Sequence, residues 1–294
     1  MILVVGASGV LGGQTARLLL GRGHRVRAAA RNPAALEPLR ALGAEVVQAD
    51  LLHPDSLGRA CTGARQVFTT ANSFLGRGAS SPAHVDAPGN RHLIEAARAA
   101  GVGHFVFTSA LGMERLAVVD YFAAKRQSEE ALRASGLAWT ILRPASFMEI
   151  WGELLGAPVL EKGVARIFGP GTARTNYIAV GDVAAMAALV LERPDARGEV
   201  IEFGGPDNLT ALEVVAIFER IAGRPAKRQH VPLPVMRLMA LVLPFVNPVF
   251  ARQVRLGVLS ATADASFDMA PVLERFPIPQ TRFEEWARER YRSG

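Results

Sequence analysis

Three residues have types and a spacing that suit proton transfer: Ser109, Tyr121 and Lys125. Tyr121 and Lys125 are four residues apart, so on a helix both side chains project from one face. An ammonium group near a phenol favours the phenolate and lowers the phenol pKa, which allows the tyrosine to exchange a proton near neutral pH. Ser109 ends a predicted strand, where its hydroxyl could polarise a carbonyl group. In the alternative interpretation, Lys125 only holds a ribose and Tyr121 only packs.

A glycine-rich segment follows the first predicted strand directly and opens a helix. Gly6 permits a tight turn, Gly9 lets the backbone approach a pyrophosphate, and Gly12 lets the helix lie close to the strand. The helix N-terminus then offers unpaired N–H groups and a partial positive charge to phosphates. The residues expected to bind the cofactor here are Gly6, Ser8, Gly9, Val10, Leu11 and Gly12. The order of strand, glycine loop and helix predicts a dinucleotide site.

The end of the second predicted strand indicates which dinucleotide binds. A site that selects NAD needs a carboxylate there for the ribose hydroxyls, but this chain has Arg31 and Asn32. A guanidinium is a fixed bidentate donor that suits the additional phosphate of NADP. We therefore expect NADP(H), with NAD(H) less favoured. The alternatives are that Arg31 is one more surface arginine, or that it stacks on adenine without contacting the phosphate.

Short apolar runs alternate with amphipathic stretches over the first half of the chain. The runs predict strands at Ile2–Val5, Val26–Ala29, Val46–Val47, Val67–Thr69, Phe105–Thr108 and Thr140–Leu142. Helical spacing of apolar residues predicts helices at Gln14–Leu20, Ala34–Leu42, Asp55–Ala60, Arg91–Ala100 and Ala123–Ala134. Alternating β-branched strands and helices are typical of a parallel sheet covered on both faces. The predicted fold class is therefore α/β, a doubly wound parallel sheet (Rossmann fold) with a smaller C-terminal substrate-binding region.

The pattern changes after Pro144 and divides the chain. Thr175–Val180, Val183–Leu191 and Val200–Phe203 predict a strand, a helix and a strand that rejoin the sheet. The nucleotide-binding core is thus predicted over 1–145, rejoined by about 175–204, and the substrate-binding region over 146–174 and 205–294. Prolines and Arg237 interrupt the apolar segment 231–250, which excludes a transmembrane helix. Helices that line a substrate pocket are favoured there over a membrane-surface anchor.

Composition and charge exclude several other classes of protein. The 294 residues carry a net charge of +6, but the arginines are scattered and form no basic run with interleaved aromatics, so we expect no nucleic-acid partner. Cys61 is the only cysteine, which excludes an internal disulfide, and the histidines lack metal-ligand spacing. The serines lack the nucleophile-elbow pattern of hydrolases. Because a strand begins at once in place of a signal peptide, we expect a cytoplasmic protein.

These motifs together resemble a known family. The spacing of two residues between successive glycines resembles that of the short-chain dehydrogenase/reductase superfamily. Over most of 1–225, the chain resembles the atypical, NmrA-like NAD(P)H-binding group of that superfamily. The stretches that carry the resemblance are the glycine loop, Ala29–Asn32, Phe105–Gly112, Trp139–Pro144, Asn176–Ala184 and Glu202–Pro206, followed by Leu209 and Thr210. Residues 226–294 resemble the family only loosely, and we expect them to determine the substrate.

The resemblance assigns roles to particular residues. It implies that Tyr121 is a general acid, that Lys125 binds ribose and lowers the tyrosine pKa, and that Ser109 orients the substrate. It also places near the cofactor Asp50, Leu51, Thr70, Ala71, Asn72, Pro144, Ala145, Ser146 and Phe147. Asp50 is as well explained as the cap of a short turn. The family's proton-relay asparagine corresponds to Asp86 here, which puts that relay in question.

The leading hypothesis is an NADP(H)-dependent oxidoreductase. Hydride would pass to a carbonyl, quinone or enone of a hydrophobic small molecule while Tyr121 gives a proton. One alternative is a catalytically silent protein that senses NADP(H), and another is an epimerase or dehydratase that retains NAD. We expect no metal, and we allow for a homo-oligomer.

Overall fold

The computed structural model describes residues 1–117 and 119–292 and contains a seven-stranded sheet. The strands of the chain are β1 (Ile2–Val5), β2 (Val26–Ala30), β3 (Glu45–Gln48), β4 (Gln66–Thr69), β5 (His104–Thr108), β6 (Trp139–Pro144), β7 (Ser146–Phe147), β8 (Val164–Phe168), β9 (Arg174–Ile178), β10 (Glu199–Phe203), β11 (Asp207–Thr210) and β12 (Lys227–Val231). The central sheet has the order β10-β6-β5-β4-β1-β2-β3, and the pairs from β6 to β3 are parallel. The predicted doubly wound α/β fold is therefore confirmed.

Helices separate the strands in the order that the sequence pattern predicts. They are α1 (Val10–Gly21), α2 (Glu37–Arg40), α3 (Pro54–Cys61), α4 (Pro82–Ala99), α5 (Met113–Leu116), α6 (Asp120–Arg133), α7 (Met148–Trp151), α8 (Ala157–Lys162), α9 (Val180–Glu192), α10 (Ala211–Ala222), α11 (Leu233–Val242), α12 (Pro248–Thr262), α13 (Ala270–Arg275) and α14 (Phe283–Arg290). Among the described helices, none has both the length and the apolar character needed to cross a bilayer.

Helix α4 is longer than predicted, because the prolines that precede the predicted start at Arg91 lie within the helix. The prediction placed its first residue at Arg91, but the helix begins at Pro82, the first helical position, where a missing N–H costs nothing. Pro88 lies inside the helix, and two residues later the Asn90 side-chain amide donates to the Asp86 carbonyl oxygen at 2.7 Å. Asp86 therefore lies on a helix and is only 1% exposed.

The chain forms two compact units. The first unit comprises Met1–Arg143 and Val183–Glu202, and the second comprises Pro144–Asp182 and Phe203–Gly294. In the second unit, β9 pairs with β11 and β7 in a separate three-stranded sheet, and β12 pairs with β8. The prediction that the strand near 175–180 rejoins the central sheet was therefore wrong. Its partner β11 follows a Gly-Gly-Pro turn, and alternation along the chain carries no information about that antiparallel pairing.

Each unit has its own apolar core. In the first unit, strand side chains such as Leu3, Phe105 and Phe107 pack with Leu57 and Leu93 of the covering helices. In the second unit, aromatic rings dominate: Tyr177, Phe218, Phe283 and Trp286 meet edge to face, with centroids 5.2 to 6.3 Å apart for the pairs that include Phe283. Burial of such apolar side chains is the main stabilising contribution to each unit.

Candidate active site

The glycine loop has the close approaches that the sequence predicts. Gly6 has a φ of +85°, and a Cβ atom there would lie 2.9 Å from the backbone nitrogen of Ala71. A Cβ on Gly12 would lie 2.3 Å from the Gly6 carbonyl oxygen, so α1 can pack on the end of β1 only with glycine at this position. The loop therefore turns sharply after β1 and lies against the residues that follow β4.

The N-terminus of α1 is open to a ligand. Gly9 precedes the helix and supplies no capping side chain, and the first turn has no acidic residue. Ser8 and Gly9 are exposed and Val10 is 63% exposed, whereas Leu11 is buried. A Cβ on Gly9 would approach only the Gly6 carbonyl oxygen, at 3.3 Å. Amide groups at an uncapped helix end suit the pyrophosphate of a dinucleotide, so these residues fit the predicted cofactor.

The predicted nucleotide-selecting residues lie at the ends of β2 and β3. Arg31 is exposed, and no hydrogen bond or ion pair joins its guanidinium to another residue in the described part of the chain. The Asn32 side-chain oxygen accepts the Ala34 N–H at 3.1 Å and caps the turn that follows. Arg31 is thus the side chain here whose donors are available to a phosphate.

Asp50 takes the turn-capping role that was one of its two predicted interpretations. Its Oδ1 accepts the Leu52 N–H at 3.0 Å. Leu51 is buried against α4, where a Cβ on Gly89 would lie 2.5 Å from the Leu51 Cβ. Contact of either residue with adenine remains a prediction.

The segment after β4 lies beside the glycine loop. Thr70 donates its N–H to the Val5 carbonyl oxygen at 3.2 Å, and Ala71 is the residue that approaches Gly6. The Asn72 side chain donates to the Thr70 carbonyl oxygen at 3.2 Å and accepts the Phe74 N–H at 3.2 Å. Asn72 therefore shapes this loop, and its contact with a cofactor remains a prediction.

Lys125, one of the three predicted catalytic residues, lies close to Tyr121. Its Nζ is buried, donates to the Thr108 carbonyl oxygen at 2.7 Å, and lies 5.2 Å from the centre of the Tyr121 ring. Ser109 follows Thr108 directly; its N–H donates to Leu142, and its hydroxyl is buried with no hydrogen-bond partner among the described residues. The structure thus brings Tyr121 and Lys125 together at the carboxyl end of β5, where Ser109 begins the next segment.

The pKa of Tyr121 differs from the prediction. Burial, followed by the negative charge of Asp86, raises the pKa of Tyr121, so the predicted lowering of this pKa was wrong. Burial lowers the pKa of Lys125 to about 8, although Asp86 and then Glu129 act in the opposite direction. The negative charge of Asp86 offsets part of the effect that the Lys125 ammonium charge has on the phenol. Together with burial, it keeps the Tyr121 phenol protonated at neutral pH.

Sequence reasoning missed three contributors to this cluster. Glu129 is one helical turn beyond Lys125 and is almost fully buried, where it accepts from Arg143 at 2.8 Å and 3.0 Å. The i, i+4 spacing of Lys125 and Glu129 was the available signal. Phe74 and Phe122 meet the Tyr121 ring edge to face at 5.0 Å and 4.9 Å, and Phe74 follows a loop whose course the sequence pattern does not specify.

The residues predicted to flank the nicotinamide belong to the second unit. Pro144 ends β6, and the Ala145 N–H donates to the Phe203 carbonyl oxygen at 2.9 Å. Ser146 and Phe147 form β7, which pairs in parallel with β9 at Tyr177 and Ile178. Their contact with a nicotinamide remains a prediction.

Comparison with known proteins identifies the same class of chain. The sequence pattern of the NAD(P)H-binding family matches residues 6–194, which include the glycine loop, Tyr121 and Lys125. The (4-alkanoyl-5-oxo-2,5-dihydrofuran-3-yl)methyl phosphate reductase of Streptomyces griseus is 32% identical over 98% of this chain and 97% of its own length. The photosystem II assembly factor Ycf39 of Trieres chinensis is 29% identical over 83% of this chain and 76% of its own length.

A solved structure matches the fold over the whole chain. The NADPH-dependent quinone oxidoreductase of Escherichia coli, crystallised with NADPH, has a TM-score of 0.83, 24% identity, and coverage of 99% of this chain and 100% of that protein. This likeness establishes the fold. The family match supports an NAD(P)H cofactor.

Proposed function

The chain belongs to the NAD(P)H-binding family of NmrA-like, atypical short-chain dehydrogenase/reductases, and from this premise we propose that it uses NADPH to reduce a carbonyl, quinone or enone of a hydrophobic small molecule. The observation that carries the proposal is the buried cluster at the end of β5. Lys125 is held there between the Thr108 carbonyl oxygen and the Tyr121 ring, next to the unpartnered hydroxyl of Ser109. A packing role alone does not require a buried ammonium group, because burial of that charge is costly.

The residues that would hold the pyrophosphate, the additional phosphate and the ribose are in the first unit. The amides of Gly9–Gly12 would bind the pyrophosphate, Arg31 the additional phosphate, and Lys125 the ribose hydroxyls. NADPH, when bound, supplies the hydride. The protein's own part is to position the substrate oxygen and to deliver a proton to it.

Tyr121 would be the proton donor. Its raised pKa keeps the phenol protonated at neutral pH, which suits reduction, since hydride addition to the substrate moves an electron pair onto the oxygen and leaves an alkoxide, enolate or hydroquinone anion that must take up a proton. The Ser109 hydroxyl would donate a hydrogen bond to the same oxygen before the proton moves. Lys125 in its ammonium form would stabilise the phenolate that remains.

The surroundings of Tyr121 support a hydrophobic substrate. The rings of Phe74 and Phe122 border the phenol, and Phe107 lies 5.1 Å from the Lys125 ammonium. The reductase relative from Streptomyces acts on a (4-alkanoyl-5-oxo-2,5-dihydrofuran-3-yl)methyl phosphate, an α,β-unsaturated lactone with an alkanoyl chain and a phosphate group, and the Escherichia coli structural neighbour acts on quinones. Both substrate classes accept hydride at an activated π-system next to oxygen.

The test is substitution of Tyr121 with Phe, with Tyr291→Phe as the matched control. Tyr291 donates its hydroxyl to Glu153 in the second unit and takes no part in the proposed reaction. NADPH consumption with a panel of quinones and alkyl enones should fall by about 10²-fold or more in Tyr121→Phe, while NADPH affinity stays within about twofold. Tyr291→Phe should retain turnover. Equal turnover in Tyr121→Phe and wild type would overturn the role of Tyr121. Wild-type protein that binds NADPH but reduces no acceptor would favour a cofactor-sensing function.

A further inference from the structure

The hairpin formed by α11, the turn after it and the start of α12 presents an unusual concentration of exposed apolar side chains. Seven of the fourteen large apolar side chains exposed in the described chain lie between residues 235 and 250. We refer to these seven as the apolar tip. Phe245 is 90% exposed and Val246 is 77% exposed, both in the turn, and Leu238 and Leu241 extend the surface along α11. A contiguous exposed apolar surface of this kind in a globular protein indicates a contact with something outside the chain.

The backbone of the turn is suited to an environment that lacks water. The N–H groups of Val246 and Asn247 both donate to the Leu243 carbonyl oxygen, at 3.0 Å and 2.7 Å. The Asn247 side chain accepts the Phe250 N–H at 3.1 Å and caps α12. Pro244 and Pro248 have no N–H group to satisfy. Unpaired donors are a cost of placing a turn in apolar surroundings, and the N–H groups of Val246, Asn247 and Phe250 are paired within the chain.

The sequence segment that contains the apolar tip carries charges of one sign. Residues 220–263 contain seven Lys and Arg residues and no Asp or Glu. Arg237 is exposed on α11 one turn before Leu241, and within the described residues neither it nor Lys227 or Arg255 forms an ion pair. Arg220 and Arg228 pair with Glu284 and Glu219. The tip therefore combines exposed apolar side chains with the exposed guanidinium of Arg237, which forms no ion pair within the described residues.

A second copy of this chain is a poor partner for such a surface. A two-fold contact brings the same patch of both copies together, so Arg237 would face cations and would find no carboxylate from 220–263. An anionic lipid surface supplies both missing components, since its headgroups pair with arginine and its acyl region accepts Phe245 and Leu241. We infer that the α11–α12 hairpin docks on an anionic phospholipid bilayer and lies in its interface without spanning it, which is the membrane-surface role that the sequence pattern made the less favoured alternative.

Vesicle co-sedimentation of the full chain tests this inference. The probes are phosphatidylcholine vesicles and vesicles in which about one third of the lipid is phosphatidylglycerol. The wild type should bind the anionic vesicles at least about tenfold more strongly than the neutral ones. The double variant Leu241→Ser/Phe245→Ser should lose about tenfold or more of that binding, and Arg237→Gln about fivefold, on anionic vesicles only.

A matched control separates the tip from exposed apolar residues in general. Leu42→Ser/Leu75→Ser removes two comparably exposed leucines from the first unit and should leave vesicle binding unchanged. Circular dichroism and the thermal midpoint should show every variant folded, because the substituted side chains are exposed. Failure of the wild type to bind anionic vesicles, or wild-type binding by Leu241→Ser/Phe245→Ser, would overturn the inference. A dimer in sedimentation velocity that Phe245→Ser converts to monomer, without vesicle binding, would assign the tip to self-association instead.

Discussion

The glycine loop of the first unit and the helices of the second unit both depend on close approaches at glycine, but the partners are different. A Cβ on Gly6 or Gly12 would meet backbone atoms, at 2.9 Å and 2.3 Å. A Cβ on Gly152 would meet the Trp286 ring at 2.3 Å, and one on Gly156 the Phe218 ring at 2.1 Å. Backbone cannot move without displacing the sheet, whereas a ring can turn or shift. Gly6 and Gly12 therefore tolerate an added side chain less well than Gly152 and Gly156.

This difference matches the roles that we propose for the two units, with cofactor binding in the first and substrate recognition in the second. A phosphate-binding turn requires one backbone geometry, so its glycines occur at fixed spacing next to a strand end. The second unit presents a ring-lined core and the exposed hairpin, whose shapes depend on which large side chains are present. Substrate recognition can change there while the cofactor site remains the same.

The largest expected effect is that of Gly12→Ala. The added methyl group would overlap the Gly6 carbonyl oxygen, so we expect loss of NADPH binding and a loss of several kcal/mol in unfolding free energy, more than the roughly 1–3 kcal/mol of ordinary overpacking. The control is Gly21→Ala at the end of the same helix, where a Cβ meets nothing within 4 Å. This control should bind NADPH normally and gain up to about 1 kcal/mol. Normal NADPH binding by Gly12→Ala would show that the backbone contact at Gly12 is no more restrictive than the ring contacts at Gly152 and Gly156.

The next effect is a dependence of stability on pH whose sign differs between buried His104 of the first unit and two buried carboxyl groups of the second. His104 in the first unit is buried, and its Nε2 lies 2.8 Å from the Thr140 hydroxyl, which donates to Ala196 at 2.7 Å. Burial, and then the charge of Arg197, lowers the pKa of His104 from 6.5 to about 4. The folded state therefore binds fewer protons than the unfolded state in this window, and stability falls by about 3 kcal/mol as the pH drops from 6.5 to 4.

In the second unit, burial raises the pKa of the Glu149 and Asp182 carboxyl groups. The folded state binds more protons there, so these groups contribute stability that decreases as the pH rises through their pKa values. Chemical denaturation at several pH values checks this comparison. His104→Gln should remove the acid-side loss of stability and leave the remaining dependence. An unchanged pH profile in His104→Gln would contradict the assignment.

Gly152→Ala should have a smaller effect, about 2 kcal/mol, because the Trp286 ring can shift. The control is Gly58→Ala in α3, where a Cβ meets nothing within 4 Å. Thermal denaturation measures both variants, and NADPH affinity should remain within a few-fold of wild type in each. A Gly152→Ala protein that no longer folds would show that the ring contact is as rigid as the backbone contact at Gly12.

Sequence patterns predicted most of the first unit because its constraints are local. The strand β1 at Ile2–Val5, the turn at Gly6 and the approach at Gly12 each follow from residue type and spacing. The pKa of Tyr121 was not predictable in this way. It depends on Asp86, thirty-five residues away on α4, and on the depth to which the phenol is buried. The pairing of β9 with β11 likewise depends on tertiary contacts that leave no periodicity in the sequence.

The smallest effect is expected at Arg31. Arg31→Ala should weaken NADPH binding by about tenfold, or about 1.4 kcal/mol, and leave NADH binding unchanged, because only NADPH carries the additional phosphate. Arg59→Ala, an exposed arginine on α3, serves as the control for a general change in charge. Fluorescence titration of the reduced nicotinamide measures both affinities. Equal weakening for NADPH and NADH would assign Arg31 to stacking on adenine.

Titration of the purified wild-type protein with NADPH and NADH tests whether the glycine loop binds a dinucleotide, with thermal denaturation and nicotinamide fluorescence as parallel readouts. We expect a stabilisation of about 2.7 kcal/mol when free NADPH exceeds its dissociation constant a hundredfold. We also expect NADPH to bind about tenfold more tightly than NADH. If neither nucleotide changes the thermal midpoint or the fluorescence, the segment Gly6–Gly12 does not bind a dinucleotide, and the proposed reductase function is wrong.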